Sequence, residues 1–396
     1  MGEQMARHVS AGIGALLLAI VVLGPVTASA AGQAPAPGER PRAREAGIVI
    51  GSLPTGPLNA LVDVRGVAVG HATVTEGDAV HTGVTAILPH PGDLYRERVP
   101  AAIHVGNGYG KLLGVTQVRE LGELETPILL TGTLSVWRAA DALVTWMLGR
   151  PGMEQVRSLN PVVGETNDGY LSDIRARPIA PEHVVAALEG AATTNVEEGV
   201  VGAGAGTVAF GWKGGIGTSS RVVPEGHTVG VMVQSNFGGE LVVAGRSMRD
   251  VLPDPASCNA VSCPPHAGDG SIMIVVATDA PLDARGLERL AARALIGLGR
   301  TGSTMSNGSG DYVIAFSTAE SVRLDAGRAR HELQRLSNEA MTPLFQAVAE
   351  ATEEAVLNSM FRAHTVHGHR GTVHALPLQP VLQDRLSAGR PSAGTP

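Results

Sequence analysis

The junction Gly270-Ser271 carries the sharpest chemical meaning in this chain. Ser271 opens the apolar run Ser271-Ile-Met-Ile-Val-Val-Ala-Thr-Asp279, which reads as a buried strand ending in turn signals. If the peptide bond before it were cut, Ser271 would become an N-terminus and hold nucleophile and base on one residue. Its hydroxyl is a weak nucleophile at its own pKa, but a terminal α-amine titrating near ~7.7 to 8.0 takes the hydroxyl proton at neutral pH. That is the logic of an N-terminal-nucleophile hydrolase. Gly270 suits the attack, because a residue without Cβ permits close approach and unusual backbone geometry. On local sequence alone, a loop serine at the start of a strand is the alternative. Competing chemistries are thin: the chain has no Gly-x-Ser-x-Gly elbow and no His-Glu-x-x-His, and its two lysines, Lys111 and Lys213, leave little room for a Ser–Lys dyad.

Positioning Ser271 falls to an interleaved set of elements. Strand-like apolar runs occur at 62–69, 84–88, 128–131, 229–234, 241–244, 272–278 and 312–317, and helical patterns at 136–148, 181–192, 284–298 and 343–363. The third helix has Asp283 as N-cap and Gly299 as a stop, and the last has Pro343 in its first turn. The order lacks a strict βαβ rhythm, so a layered α/β architecture follows more naturally than a barrel.

With 396 residues and 44% hydrophobic content, the chain can bury a large core. Aromatics are 3% against 51 glycines, a balance suited to close layer packing. A net charge of −7 without any Lys/Arg run argues against nucleic acid as a partner. The N-terminus shows a modest positive start (Arg7, His8), an apolar stretch over 11–23 and the small-residue exit Ala28-Ser-Ala30. This is a signal-peptide pattern, shorter than the ~20 apolar residues of a membrane span; an uncleaved anchor is the alternative. The expectation is a signal peptide over 1–30, a flexible Pro- and Arg-rich leader over 31–44, a periplasmic or secreted location, and no stable membrane insertion.

Several blocks together resemble the DmpA-type L-aminopeptidase/D-amidase/D-esterase and β-aminopeptidase family of self-cleaving serine peptidases. They are Asn59-Ala-Leu-Val-Asp63 with Gly66-Val-Ala-Val-Gly-His71, Thr82-Gly-Val-Thr-Ala-Ile-Leu-Pro89, and Gly164-Glu-Thr-Asn-Asp-Gly-Tyr170. Lys213-Gly-Gly-Ile-Gly-Thr-Ser-Ser-Arg221, Gly268-Asp-Gly-Ser271 through Thr278-Asp-Ala-Pro281, Gly308-Ser-Gly-Asp311 and Glu350-Ala-Thr-Glu-Glu-Ala355 continue in the family's order. The resemblance implies a four-layer αββα sandwich, self-cleavage between Gly270 and Ser271, an α-subunit over 45–270 and a β-subunit over 271–396 with a flexible tail from about 378. It also implies an oligomer of αβ units acting on a small peptide, amide or ester, with no cofactor.

Site residues follow from the same resemblance. Ser271 matches the nucleophile, and Ser309 and Asp311 fall where the family has a second serine and an acidic partner. A hydroxyl there can relay a proton to the α-amine while a carboxylate orients it; the bland reading is a Gly/Ser/Asp turn before a strand. Asn236, read as a turn residue between strands, matches the oxyanion asparagine. Some relatives carry a tyrosine two residues after the glutamate of Gly164-Glu-Thr-Asn; here Asn167 holds that place as the second oxyanion candidate, and Tyr170 follows as a substrate-binding candidate. Glu165 resembles the residue that binds the substrate's free amine, and a carboxylate is the right charge for an ammonium; a solvated surface glutamate is the bland alternative.

Cys258 and Cys263 sit in a Pro-rich stretch before the junction, where an oxidising compartment would let them pair as a loop staple. Zinc would need two further ligands that the stretch does not offer. The cluster His364, His367, His369 and His374 reads as an exposed loop, with a metal site as the alternative. Gly202-Ala-Gly-Ala-Gly206 and Gly106-Asn-Gly-Tyr-Gly-Lys111 superficially suggest phosphate loops but lack the following helix or the spacing, and read as close-packing segments. The leading expectation is an exported serine aminopeptidase. An endo-acting amidase and an uncleaved, inactive extracytoplasmic binding protein are the alternatives.

Overall fold

A computed structural model describes residues 40–253, 255 and 269–388. The chain opens with the hairpin β1 (Ala68–Glu76) and β2 (Val80–Leu88), then runs through β3 (Glu97–Gly108), β4 (Leu112–Leu113), α1 (Val115–Leu121) and β5 (Glu123–Leu124). β6 (Ile128–Gly132), α2 (Val136–Leu148), β7 (Val162–Thr166) and α3 (Pro181–Glu189) follow. A short hairpin, β8 (Val208–Ala209) and β9 (Trp212–Lys213), leads into β10 (Gly215–Val222) and β11 (Thr228–Asn236), and a second pairs β12 (Val242–Val243) with β13 (Arg246–Ser247). The last part holds β14 (Asp269–Thr278), α4 (Ala284–Arg300), β15 (Gly308–Ser317), β16 (Leu324–Asp325), α5 (Met341–Phe361), the hairpin β17 (Val366–Gly368) and β18 (Gly371–Val373), and α6 (Leu378–Ala388).

These strands form two main sheets, ordered β1-β2-β6-β7-β4 and β10-β11-β14-β15-β3-β16, with β5 also on β3. Alternation along β14 shows how they stack. Ile272, Ile274 and Val276 join the core under α4 and α5, whereas Met273, Val275 and Ala277 join the core shared with Ile128, Leu130 and Val162 of the other sheet. A strand buried on both faces must read as one continuous apolar run. α2 and α3 cover the outer face of the first sheet through Leu143, Val184, Leu188 and their neighbours. The result is the expected four-layer αββα sandwich.

Charge is buried where the second sheet meets α5. Arg221, fully buried on β10, bonds Glu350 Oε2 at 3.3 Å, Glu354 Oε2 at 2.6 Å and the Ile50 carbonyl at 2.8 Å. Each partner there removes the cost of burying the other.

Several boundaries differ from expectation. The apolar stretch 62–69 is not one strand: Leu61–Asp63 is a 3-10 turn and β1 begins at Ala68, because Asn59 and Gly66 take positive φ and break the extended chain. Gly299 does not stop α4, which runs to Arg300 with Thr301 as cap. The fold starts before residue 45: Ala43 is fully buried, and Arg40 donates to the carbonyls of Phe361 at 2.8 Å and Leu376 at 2.6 Å. The stretch from 378, expected as a flexible tail, continues as helix α6 with Val381 buried in the core.

Candidate active site

Ser271 lies near the start of β14, with β11 antiparallel on one side and β15 parallel on the other. Register places Asn236 opposite Ser271 across the first ladder and Gly310 opposite Ser271, with Ser309 opposite Gly270, across the second. The Ser271 hydroxyl donates to the Gly270 carbonyl at 2.6 Å and accepts from the Gly310 N–H at 3.3 Å. Gly270 is not in the left-handed region; space is what demands glycine. A Cβ there would fall 2.5 Å from both the Asn236 carbonyl oxygen and Phe237 Cα.

Ser309 and Asp311 are strand residues of β15, not the members of a turn. The Ser309 hydroxyl donates to Asp311 Oδ1 at 2.7 Å, and Oδ2 is buried without a hydrogen-bond partner. Burial pushes the Asp311 carboxyl up to about 6, against the smaller opposing pull of the Ser309 bond. Strand alternation puts both side chains in step with Val313 and Ala315 of the helix-side core, so this pair reaches Ser271 through the backbone of Gly270 and Gly310. Asn107, which the sequence reading passed over, fixes the approach: its Nδ2 donates to the carbonyls of Ser306 at 3.0 Å and Asn307 at 3.2 Å, and to that of Ser309.

Asn236 is the last residue of β11 rather than part of a hairpin turn. Its Oδ1 accepts from the Val208 N–H at 2.9 Å, which leaves the amide NH2 as the group able to donate toward a reacting oxygen. Val208 is itself braced from below. Lys213 is fully buried and donates to the carbonyls of Gly204 (3.0 Å), Thr207 (2.9 Å) and Gly214 (2.9 Å). Burial pushes its ammonium down to about 7 while nearby Asp168 pulls it up; three carbonyls for three N–H groups match the charged form. The glycine run 202–206 is the close-packed corner expected of it: a Cβ on Gly204 would sit 2.4 Å from the Ile216 nitrogen.

Glu165 arrives from the other sheet. It is paired with Thr131 between β7 and β6, and two contacts bring that edge to the serine. Gly164 has no Cβ because Met273 Sδ would lie 2.6 Å from it. Gln234 Nε2, two residues before Asn236, donates to Thr166 Oγ1 at 2.9 Å and to the Thr131 carbonyl at 3.2 Å. Far from being a solvated surface group, Glu165 is 2% exposed. Its Oε1 accepts from the Lys111 N–H at 3.0 Å and the Lys111 ammonium at 3.3 Å, while Oε2 is buried and without a partner.

A cleft of about 710 Å3 joins these parts. Ser271, Gly270, Asn236, Glu165, Asn167 and Tyr170 line it, whereas Ser309 and Asp311 lie beneath its floor. Asn167 is exposed in the cleft and its Oδ1 accepts from the Gly169 N–H at 3.0 Å, so here too the amide NH2 is left to donate. Burial raises the Tyr170 hydroxyl pKa. The sequence reading did not single out Lys111 and Arg370 as cleft residues. The first was set aside within a glycine-rich segment, although one of only two lysines beside a sharp turn was a usable signal; the second is brought in by β17 and β18 and had none. His364, His367, His369 and His374 are exposed on and around that hairpin, and among the described residues no three His, Cys, Asp or Glu side chains form a metal-holding group. Cys258 and Cys263, and the signal peptide and most of the leader, lie outside the described residues. Among the described residues no helix is long and apolar enough to cross a membrane.

In chemical terms the cleft offers a hydroxyl beside a carbonyl, amide donors next to it, a buried hydroxyl–carboxylate pair behind it and a carboxylate acceptor across from it. That set suits acyl transfer from a substrate bearing a cation. Comparisons with known proteins agree. A model of peptidase family S58 matches residues 59–374. The beta-peptidyl aminopeptidase BapA of Sphingosinicella microcystinivorans is 40% identical over 381 residues, 89% of this chain and 95% of that protein. Among solved structures, a Burkholderia sp. beta-aminopeptidase has a TM-score of 0.80 at 38% identity, covering 88% of this chain and 100% of that one. An L-aminopeptidase D-Ala-esterase/amidase from Ochrobactrum anthropi, described as a variant of the Ntn hydrolase fold, has a TM-score of 0.79 at 34% identity, covering 88% and 99%.

Proposed function

Because this chain belongs to peptidase family S58, we propose that it is an aminopeptidase matured by cutting itself between Gly270 and Ser271, with the freed serine as nucleophile of turnover. The observation that carries this reading is the Ser271 hydroxyl, 2.6 Å from the carbonyl oxygen of the residue it would be cut from, with Asn236 across the strand. In maturation Oγ bonds to the Gly270 carbonyl carbon, the C–N bond breaks, and the nitrogen leaves as the new α-amine with the hydroxyl proton. Water then opens the ester and leaves a Gly270 carboxylate. The products are an α-part that ends at Gly270 and includes the packed stretch from residue 40, and a β-part, 271–396, of one catalytic domain.

In turnover the Ser271 α-amine takes the Oγ proton as Oγ attacks the substrate carbonyl. The developing oxyanion is held by the Asn236 amide, with Asn167 as second donor. The departing amine collects the proton and water releases the acyl group. Asp311 favours and orients the charged amine, and Ser309 relays protons to it. Glu165 receives the substrate's ammonium on Oε2, the buried oxygen without a hydrogen-bond partner. Substrates are short peptides, amino-acid amides or esters, D- and β-residues among them, a reading supported by the beta-peptidyl and D-Ala-esterase/amidase names of the relatives. The chain is exported by its N-terminal signal, Cys258 and Cys263 pair as a staple before the cut, and αβ units assemble into a homo-oligomer. A denaturing gel of the purified protein, with mass spectrometry, tests the central claim: two fragments parting before Ser271 are expected, and one intact, active chain overturns it.

A further inference from the structure

The charges lining the cleft do not balance. Its ionised side chains are Glu165, Lys111 and Arg370. The first two are paired at 3.3 Å, while among the described residues the exposed Arg370 guanidinium has neither hydrogen bond nor ion pair. The backbone that carries it is anchored: at the tip of the β17–β18 hairpin, the N–H groups of His369 and Arg370 donate to the carbonyls of Leu171 and Tyr170, both at 3.0 Å. Arg370 is thus fixed to the cleft wall that carries Tyr170. A planar fork of donors, unmatched and carried into the cleft on an anchored backbone, is suited to a carboxylate.

We infer that Arg370 binds the C-terminal carboxylate of a short peptide whose ammonium is held by Glu165, making unblocked di- and tripeptides the preferred substrate class. The inference rests on the aminopeptidase reading and deepens it. Room is sufficient: a residue spans at most ~3.6 Å of extended chain, and a short peptide is small against a cleft of about 710 Å3 that both Glu165 and Arg370 line. Charge agrees as well, since a second ammonium at the far end would meet an arginine.

The test uses the mature enzyme with alanyl-alanine and β-alanyl-alanine, each as free acid and as C-terminal amide, on wild type, Arg370→Ala and Arg370→Lys. Wild type should prefer the free acids. Arg370→Ala should raise KM on the acids about three- to thirtyfold, the range between an exposed ion pair and a charge-assisted hydrogen bond, with kcat and the amides nearly unchanged. Arg370→Lys should recover part of the loss. An acid-to-amide ratio equal in wild type and Arg370→Ala overturns the carboxylate assignment and leaves the aminopeptidase standing. A wild type that cleaves none of the four free-amine substrates overturns the reading beneath it, and the assignment too.

Discussion

Asn236 faces Ser271 across the β11–β14 ladder, and its side-chain oxygen is already committed to the Val208 N–H at 2.9 Å. An asparagine so tied can offer the reacting centre only its NH2. Asn236→Ala should therefore fold and lower kcat by about 10²- to 10³-fold, the usual loss for one oxyanion donor, with little change in KM. Asn236→Asp should do at least as badly, because it sets a negative charge beside a developing one. Steady-state kinetics on both variants decides; a variant that loses KM alone would make Asn236 a binding residue.

Ser271→Ala should fold yet remain a single inactive chain, since in the proposed mechanism one hydroxyl starts both maturation and turnover. Space is not an obstacle, because the replacement is smaller than a residue that is already buried. Mass spectrometry that finds a cut before residue 271 in this variant would remove the serine from its role.

How much of this was legible beforehand differs from one residue to the next. The both-face burial of β14 shows as an unbroken apolar run, so the strand headed by Ser271 could be read directly. β10 could not: Gly215-Ile-Gly-Thr-Ser-Ser-Arg-Val222 is almost wholly buried yet polar, its hydroxyls and arginine being satisfied by groups distant in sequence. Glu165 was recognisable by resemblance, but its burial is set by the closeness of Gly164 to Met273, a contact between two sheets that no local pattern encodes. Asn236 looked like a turn residue for the same reason: only the ladder to Ser271 reveals a strand.

Asp311 makes acid pH informative. Burial raises its carboxyl to about 6 in the uncut chain. As the ionised form is the one able to accept, through Ser309, the proton in transit from the Ser271 hydroxyl to the leaving nitrogen, maturation of precursor collected near pH 5 should slow about tenfold per unit below pH 6. Stability moves the other way. A carboxyl raised in the fold adds stability below its unfolded value of ~3.9, and this is lost as pH rises through about 6. Once cut, the ammonium of Ser271 favours the carboxylate, so the acid limb of turnover should lie below that of maturation. Rates of both against pH check this; an unchanged maturation limb in Asp311→Asn would assign it to another group.

Glu165→Gln tests the remaining charge. One carboxylate oxygen takes both Lys111 contacts and the other has no hydrogen-bond partner. A neutral amide keeps the shape, including an acceptor for the Lys111 N–H, but loses the charge that matches an ammonium. A hydrogen bond to a charged group contributes about 1.5 to 3 kcal/mol, so kcat/KM on free-amine substrates should fall about ten- to a hundredfold. N-acetylated counterparts should already be poor and should change little. Equal losses on both substrate classes would mean that Glu165 supports the cleft through Lys111 rather than through the substrate, and the need for a free amine would go with it.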